Sequence, residues 1–344
     1  MNKVNHMINK LNLLFSFIIC LLFLTACQSE SQFSDLKGKY FGQPAPGDSA
    51  QLFAPGIVST GANEMNICFS PAGDEMFYFV TGPAFEPRAV LTSKILNGTW
   101  TEPLELPFFD KERTDSYPFI TPDGKKLFFN SSRPYEGMEV TEGRRHHEIW
   151  YVETNNGQWG VPQKIDFGGE YKGFGTFPSV AANGNMYFNA TIDRDVSDIY
   201  YSKYENGRYS TPERLSDNVN SDNRDFHPYI APDESYILFD SNRDEDSKGH
   251  QDIFISFRSD SGEWGKAINI GDKVNTANSE LRPYVTFDGK YLFFISMRTI
   301  QNEFPDNPMT YEQVGELINS PGNGLQDIYW IEADFINELK AKSK

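Results

Sequence analysis

Asp225 to Arg243 reads DFHPYIAPDESYILFDSNR, and this stretch decides how the chain folds. It recurs as Asp115 to Arg133, DSYPFITPDGKKLFFNSSR, and as Glu280 to Arg298, ELRPYVTFDGKYLFFISMR. Each copy is an apolar run, a polar turn and a second apolar run. The turn residues Pro-Asp-Gly and Pro-Asp-Glu favour chain reversal, so each copy reads as a β-hairpin. An acid opens each copy, and an arginine follows eighteen residues later.

Five repeats align on the hairpin turn, at Gly73, Gly124, Gly184, Glu234 and Gly289. Each repeat predicts four strands, A to D. Strands A and B are the hairpin. Strand C starts at Arg88, Glu148, Asp198, Asp252 and Asp327. Strand D starts at an aromatic, Trp100, Trp159, Tyr209 or Trp264, after the turns Asn97-Gly98, Asn156-Gly157, Asn206-Gly207 and Ser261-Gly262. Strand B is apolar on both faces, as in Leu127-Phe128-Phe129 and Leu292-Phe293-Phe294. A strand of that kind must be covered on both sides. Blades of an all-β propeller meet the requirement, with four-stranded antiparallel blades and a count of five. The fifth repeat stops after strand C. Gln51 to Val58 precedes the first A strand, where a D strand would stand, and is expected to complete the last blade and close the ring.

Pro122-Asp123-Gly124-Lys125, Leu127-Phe128-Phe129, Ser131-Ser132-Arg133 and Asp198-Ile199-Tyr200 together resemble the WD-like, TolB-type β-propeller repeat of bacterial envelope proteins. The resemblance covers about residues 50–332 and is closest in repeats 2, 4 and 5. It implies a mostly non-catalytic, protein-binding propeller. The chain departs from TolB in lacking its extra N-terminal domain and in counting five blades rather than six.

The start of A, the end of B and the start of C share one end of a blade. Repeats 2, 4 and 5 place acid, arginine, acid there: Asp115–Arg133–Glu148, Asp225–Arg243–Asp252 and Glu280–Arg298–Asp327. An arginine forked between two carboxylates predicts a structural staple; the competing reading is a polar lining for a ligand. Repeat 1 has Glu64 and Arg88 but Gly82 at the arginine position, which suggests that the base has moved to strand C. Candidate ligand-binding residues at this end are Glu64, Arg88, Arg144, Arg145, His146, His147, Asp193, Arg194, Asp195 and Asp198. Asp193, Asp195 and Asp198 could hold calcium by oxygen density, but without EF-hand spacing a solvated acidic rim is favoured. The connections from B to C vary most in length. Pro134 to His147 and Thr299 to Gln326 are the long ones, the latter with a short helix expected at Tyr311 to Ile318. Long loops on one face of a rigid scaffold are where binding usually lives.

Residues 1–26 read as a signal peptide, with Lys3 and Lys10 before the apolar run Leu11 to Phe23. Leu24-Thr25-Ala26-Cys27 looks like a lipobox, so acylated Cys27 would be the membrane anchor. Gln28 after it favours the outer membrane, by resemblance to lipoprotein sorting. Residues 27–48 read as a flexible tether and 49–344 as the propeller. The chain carries 31 basic and 48 acidic residues, a formal net charge of −17. Such a surface lacks the basic footprint that nucleic acid needs. After processing, Cys68 has no partner for an intramolecular disulfide, and its apolar run predicts a core position.

No nucleophile elbow, zinc pattern or phosphate loop is present. Two functions follow as expectations. The favoured one is a lipid-anchored, non-catalytic module that binds an envelope protein, peptide or glycan. The alternative is a carbohydrate-active propeller enzyme using two rim carboxylates ~5–9 Å apart at the channel mouth.

Overall fold

Asn97-Gly98, Asn156-Gly157 and Asn206-Gly207 all have positive φ, from 52° to 83°. Such pairs close the two-residue hairpins whose twist matches that of the flanking strands. These turns fix the outer edge of three blades. The computed structural model describes residues 33, 35–110, 112–136, 147–168, 171, 175–192, 196–300 and 307–343.

Five antiparallel sheets form a five-bladed propeller. Strands A, B and C of blade 1 are Asn63–Phe69, Glu75–Thr81 and Arg88–Leu96. In blade 2 they are Asp115–Ile120, Lys126–Ser131 and Glu148–Asn155, and in blade 3 Gly175–Val180, Met186–Ala190 and Asp198–Ser202. In blade 4 they are Asp225–Ile230, Tyr236–Ser241 and Asp252–Phe257, and in blade 5 Glu280–Val285, Tyr291–Ser296 and Asp327–Glu332. All five C strands begin where the sequence places them. The middle of every B strand is buried, including Phe77, Phe128, Phe188, Phe239 and Phe293. Each such ring contributes about 1.5–3 kcal/mol by leaving water, which makes the seams between blades the core.

Strand D departs from expectation. In blades 1 to 3 it is two pieces rather than one. An outer piece carries the aromatic: Thr99–Trp100, Gln158–Trp159 and Arg208–Tyr209. An inner piece follows at Leu104–Glu105, Gln163–Lys164 and Glu213–Arg214. Pro103, Pro162 and Pro212 sit between the pieces. A proline has no N–H to donate, so it interrupts the ladder there. In blade 4, Trp264 makes an isolated bridge to Arg258 and the inner piece is Ile268–Asn269.

The ring closes as expected, and the register shows how. Gln51–Leu52 pairs with Asp327–Glu332, with Gln51 opposite Trp330 and Leu52 opposite Tyr329. In blade 2, Gln163 and Lys164 face Tyr151 and Trp150, the same fourth and third positions of strand C. The N-terminal strand therefore replaces the inner D piece.

The segment read as a tether up to residue 48 is corrected from Lys37 onward. Lys37 bridges to Thr99, and the Trp100 indole N–H donates to the Gly38 carbonyl at 2.7 Å. Tyr40 and Phe41 are buried. The Tyr40 ring lies 5.2 Å from both Phe69 and Tyr291, and Phe41 lies 4.5 Å from Trp100. The signal and anchor residues, Cys27 included, lie outside the described residues. Among the described residues no helix is long and apolar enough to cross a membrane. Cys68 is buried, and burial pushes its thiol up to about 12, which leaves it a core residue.

Among the described residues two short α-helices accompany the blades. Helix α1, Tyr311–Ile318, lies in the long connection of blade 5 and opens with a capping box between Thr310 and Gln313. Helix α2, Phe335–Lys342, buries Phe335 and Ile336 after the last strand.

Candidate functional site at the axial mouth

Each A strand carries a bulge at its third position. In four blades the bulged residue is followed by proline: Tyr117-Pro118, Phe177-Pro178, His227-Pro228 and Arg282-Pro283. Tyr117, Phe177, His227 and Arg282 all have positive φ, between 47° and 57°. A left-handed residue other than glycine is strained, and more so before proline. Strain of this kind clusters where a site must hold a geometry.

Neighbouring blades supply the restraint. The Phe177 N–H donates to Asn130 Oδ1 at 2.9 Å, His227 N–H to Asn189 Oδ1 at 3.4 Å, and Arg282 N–H to Asp240 Oδ1 at 2.9 Å. Each acceptor stands next to last in strand B of the preceding blade. The strained residues thus become links between blades.

Their side chains meet on the axis. The Phe177 ring lies 4.1 Å from Tyr117 and 4.0 Å from His227. The Arg282 guanidinium stands 5.4 Å over Tyr117 and donates to Gln326 Oε1 at 2.6 Å. His227 Nδ1 is 2.7 Å from Asp240 Oδ1. Burial outweighs that carboxylate and, with Arg282 nearby, pushes the imidazole below its usual range, so it stays neutral. Beneath them lies a cavity of about 30 Å³, lined by A-strand residues of all five blades. This is about the volume of one water. Asn66 Oδ1 and Arg282 Nε are buried there without a partner. No carboxylate is among the described lining residues. The arrangement offers a firm aromatic and cationic floor, too small to enclose a sugar or peptide.

The staples are one-armed. Arg243 donates to Asp225 at 2.6 Å, to Ser241 Oγ at 3.1 Å and to the Val219 carbonyl at 2.7 Å. Arg298 repeats this with Glu280, Ser296 and Val274, and Arg133 with Asp115, Ser131 and Phe108. The C-strand acid is not the second arm. Asp252 accepts the Lys248 and Gly249 amides, Asp327 accepts the Gly322 amide, and Glu148 accepts from Tyr135. These acids hold the B-to-C connections, because a strand start lies nearer the loop than the arginine.

Arg88 does not replace the missing arginine of blade 1. It pairs with Glu86 at 2.7 Å, which leaves Glu64 fully buried without a cation among the described residues. Glu64 accepts from the Thr60 backbone N–H and hydroxyl, at 3.1 and 2.6 Å. Burial pushes its carboxyl up to about 7, and Asp327 up to about 6. In blade 3, Arg214 holds Asp198 at 2.8 Å, which commits that carboxylate and works against its serving calcium. Among the described residues no cluster of His, Cys, Asp or Glu could hold a metal. Arg144, Arg145, His146, Asp193, Arg194 and Asp195 lie outside the described residues. His147 is half-buried just before strand C.

Glu64 and Asp327 make stability depend on pH. A carboxyl raised in the folded state binds its proton more tightly there, so stability falls as pH rises through the folded value. The melting midpoint is therefore expected to rise by a few degrees from pH 8 to pH 6.5, the interval in which Glu64 takes up its proton. Below about 6.5 the depressed His227 works the other way, because the unfolded imidazole takes the proton first. Glu64→Gln should remove the rise. A midpoint flat between pH 8 and 6.5 in the parent chain would refute this.

Sequence reasoning missed Tyr117, Phe177, Arg282, Asp240 and Gln326. The available signal was proline inside a strand, which occurs at bulges and sheet edges and not in a central strand.

No family model matches the chain, and no curated protein does. Among solved structures it is similar to a putative TolB from Agrobacterium tumefaciens, at 16% identity and a TM-score of 0.46, over 79% of this chain and 90% of that one. It is similar to TolB from Acinetobacter baumannii at 12% and 0.42, over 79% of this chain and 57% of that one. A GH43 endo-arabinanase from Bacillus licheniformis is similar at 10% and 0.45, over 80% of this chain and 94% of that one. TolB structures and a glycoside hydrolase stand together in this set, and it does not decide between them.

Proposed function

We propose that the chain is a lipid-anchored propeller of the bacterial envelope that captures a protein partner on the face carrying its B-to-C connections. The observation that carries the proposal is helix α1. Tyr311 is 96% exposed, Ile318 62% and Val314 40%, and their spacing puts them on one side of the helix. No residue of α1 is buried. The helix is nevertheless held to the ring. Asn319 backbone packs so closely on Gly61 that a Cβ there would lie 2.6 Å from it, and Asn323 donates to the Gly61 carbonyl at 3.4 Å. An apolar stripe presented on a fixed helix suits a groove on another protein. The small axial cavity, which has no carboxylate among its described lining residues, lends more support to binding than to glycoside hydrolysis.

The anchor would be the acyl chains of Cys27. The experiment is a pull-down from solubilised envelope with the full chain as bait. Tyr311→Asp with Val314→Asp should cut recovery of whatever protein the parent enriches by at least about tenfold, at an unchanged melting midpoint. Cys27→Ser should move the chain out of the membrane fraction. Undiminished capture by the doubly substituted chain overturns the face, and retention of Cys27→Ser on membranes overturns the anchor.

A further inference from the structure

In blades 1, 2 and 4 the D-strand tryptophan leans on the element before it. Trp159 of blade 2 meets Phe77 of blade 1 at 5.9 Å. Trp264 of blade 4 meets Tyr187 of blade 3 at 6.2 Å, and Trp100 meets Phe41 at 4.5 Å. Blade 3 has a tyrosine here. Tyr209 reaches Phe167 at 6.0 Å. A cavity of about 400 Å³ remains, beside a second of about 190 Å³ that shares Lys126, Phe128, Tyr204 and Tyr209 with it.

The lining is unusual for so acidic a chain. Lys126, Lys164 and Arg208 face the larger cavity, against Asp166 as the one carboxylate among its described lining residues. Lys126 Nζ stands 5.0 Å from the Tyr151 ring centre and 5.7 Å from that of Tyr204. It also pairs with Glu153 at 3.1 Å, while Lys164 Nζ lies 4.0 Å from Glu148. Arg208 is exposed and makes no ion pair among the described residues. The groove therefore combines tyrosine rings, which stack on the apolar faces of sugar rings while their hydroxyls stay wet, with cations that select a negative charge. Its volume falls in the ~300–1,000 Å³ range of small-molecule sites and far exceeds a lone inorganic anion.

We propose that the groove between blades 2 and 3 binds a short acidic saccharide, its carboxylate on Lys126, Lys164 and Arg208 and its rings against Tyr151 and Tyr204. This site is on the flank of the ring, separate from the axial mouth and from α1, and does not depend on the partner proposed above.

The test is calorimetric titration of the full chain, in mild detergent, with trigalacturonate, maltotriose and triglutamate in turn. Trigalacturonate should bind at least about tenfold more tightly than either of the others, and more weakly as salt rises. Arg208→Ala and Lys164→Ala should each weaken it by about three- to tenfold, and Tyr204→Ala by about tenfold. Arg208 is exposed, so Arg208→Ala should melt like the parent and isolates binding from folding. Three results would overturn the assignment. They are no heat with trigalacturonate up to about 10 mM, equal affinity for maltotriose or triglutamate, and an affinity unmoved by Arg208→Ala and Lys164→Ala together.

Discussion

Removing residues 49–59 is expected to abolish cooperative folding. This stretch supplies the closing strand and much of the seam between blades 5 and 1. The Phe53 N–H donates to the Ile328 carbonyl at 2.8 Å, and the Ser59 hydroxyl bridges both the N–H and the carbonyl of Ile328. Phe53 is fully buried, with its ring 5.0 Å from Phe293 and 5.4 Å from Trp330. Phe53→Ala alone should cost about 3–5 kcal/mol. A domain has only ~5–15 kcal/mol in total, so losing that ring, Val58 and the strand together exceeds what it can spare. The measurement is thermal unfolding followed by circular dichroism. A deletion variant with the parent's sharp transition would show that the ring closes by other means.

Arg243→Ala is expected to destabilise the chain by about 3–5 kcal/mol. Asp225 is fully buried, and its neighbours besides Arg243 are the Ser221 N–H and hydroxyl, at 2.6 and 2.9 Å. The substitution leaves that charge without a cation. It also orphans the Val219 carbonyl and exposes the rings of Phe239 and Phe254, over which the guanidinium lies at 5.2 and 4.7 Å. Adding Asp225→Asn should recover part of the loss, because no buried charge then remains. Urea unfolding of the two variants measures both steps. A loss below about 1 kcal/mol for Arg243→Ala would mark the pair as no stronger than a surface ion pair. Blade 1 shows the compensated alternative: Glu64 occupies the same position without an arginine, and burial there favours the neutral acid.

Features set by backbone chemistry could be read from the residues. Asn-Gly pairs at 97–98, 156–157 and 206–207 needed positive φ, so they located three hairpins. The doubly apolar B strands required cover on both faces, and that identified blades. A missing final strand, with a spare one at the other end, located the closure. Features set by side-chain reach could not be read. Spacing brought Arg243 beside both Asp225 and Asp252, yet the choice between them depends on which loop amides the second acid already holds. The split of strand D depends on one proline per repeat, easily passed over within a short polar run. The axial plug lay in plain view as Tyr-Pro, Phe-Pro, His-Pro and Arg-Pro. Its meaning depends on neighbouring blades, which periodicity along one strand does not reveal. The cavity beside Tyr209 is lined by residues of two repeats, which the pattern within one repeat does not bring together.

Because Gln51 pairs with Trp330, the first and last strands of the ring belong to one blade. The order of synthesis then matters. Blades 1 to 4 can pack on one another as they emerge, but blade 5 cannot be finished until the C-terminal strand is made. Until then Phe53 and Tyr40 have no Trp330 to cover them, and the blade 1 face stays open to other chains. A growing chain with exposed strand edges is prone to misassembly. Bringing together ends about 280 residues apart carries a loop-closure cost that must be met before any contact rewards it. The final step of folding is therefore expected to be slow, concerted, and the point at which a helper in the compartment of folding would act.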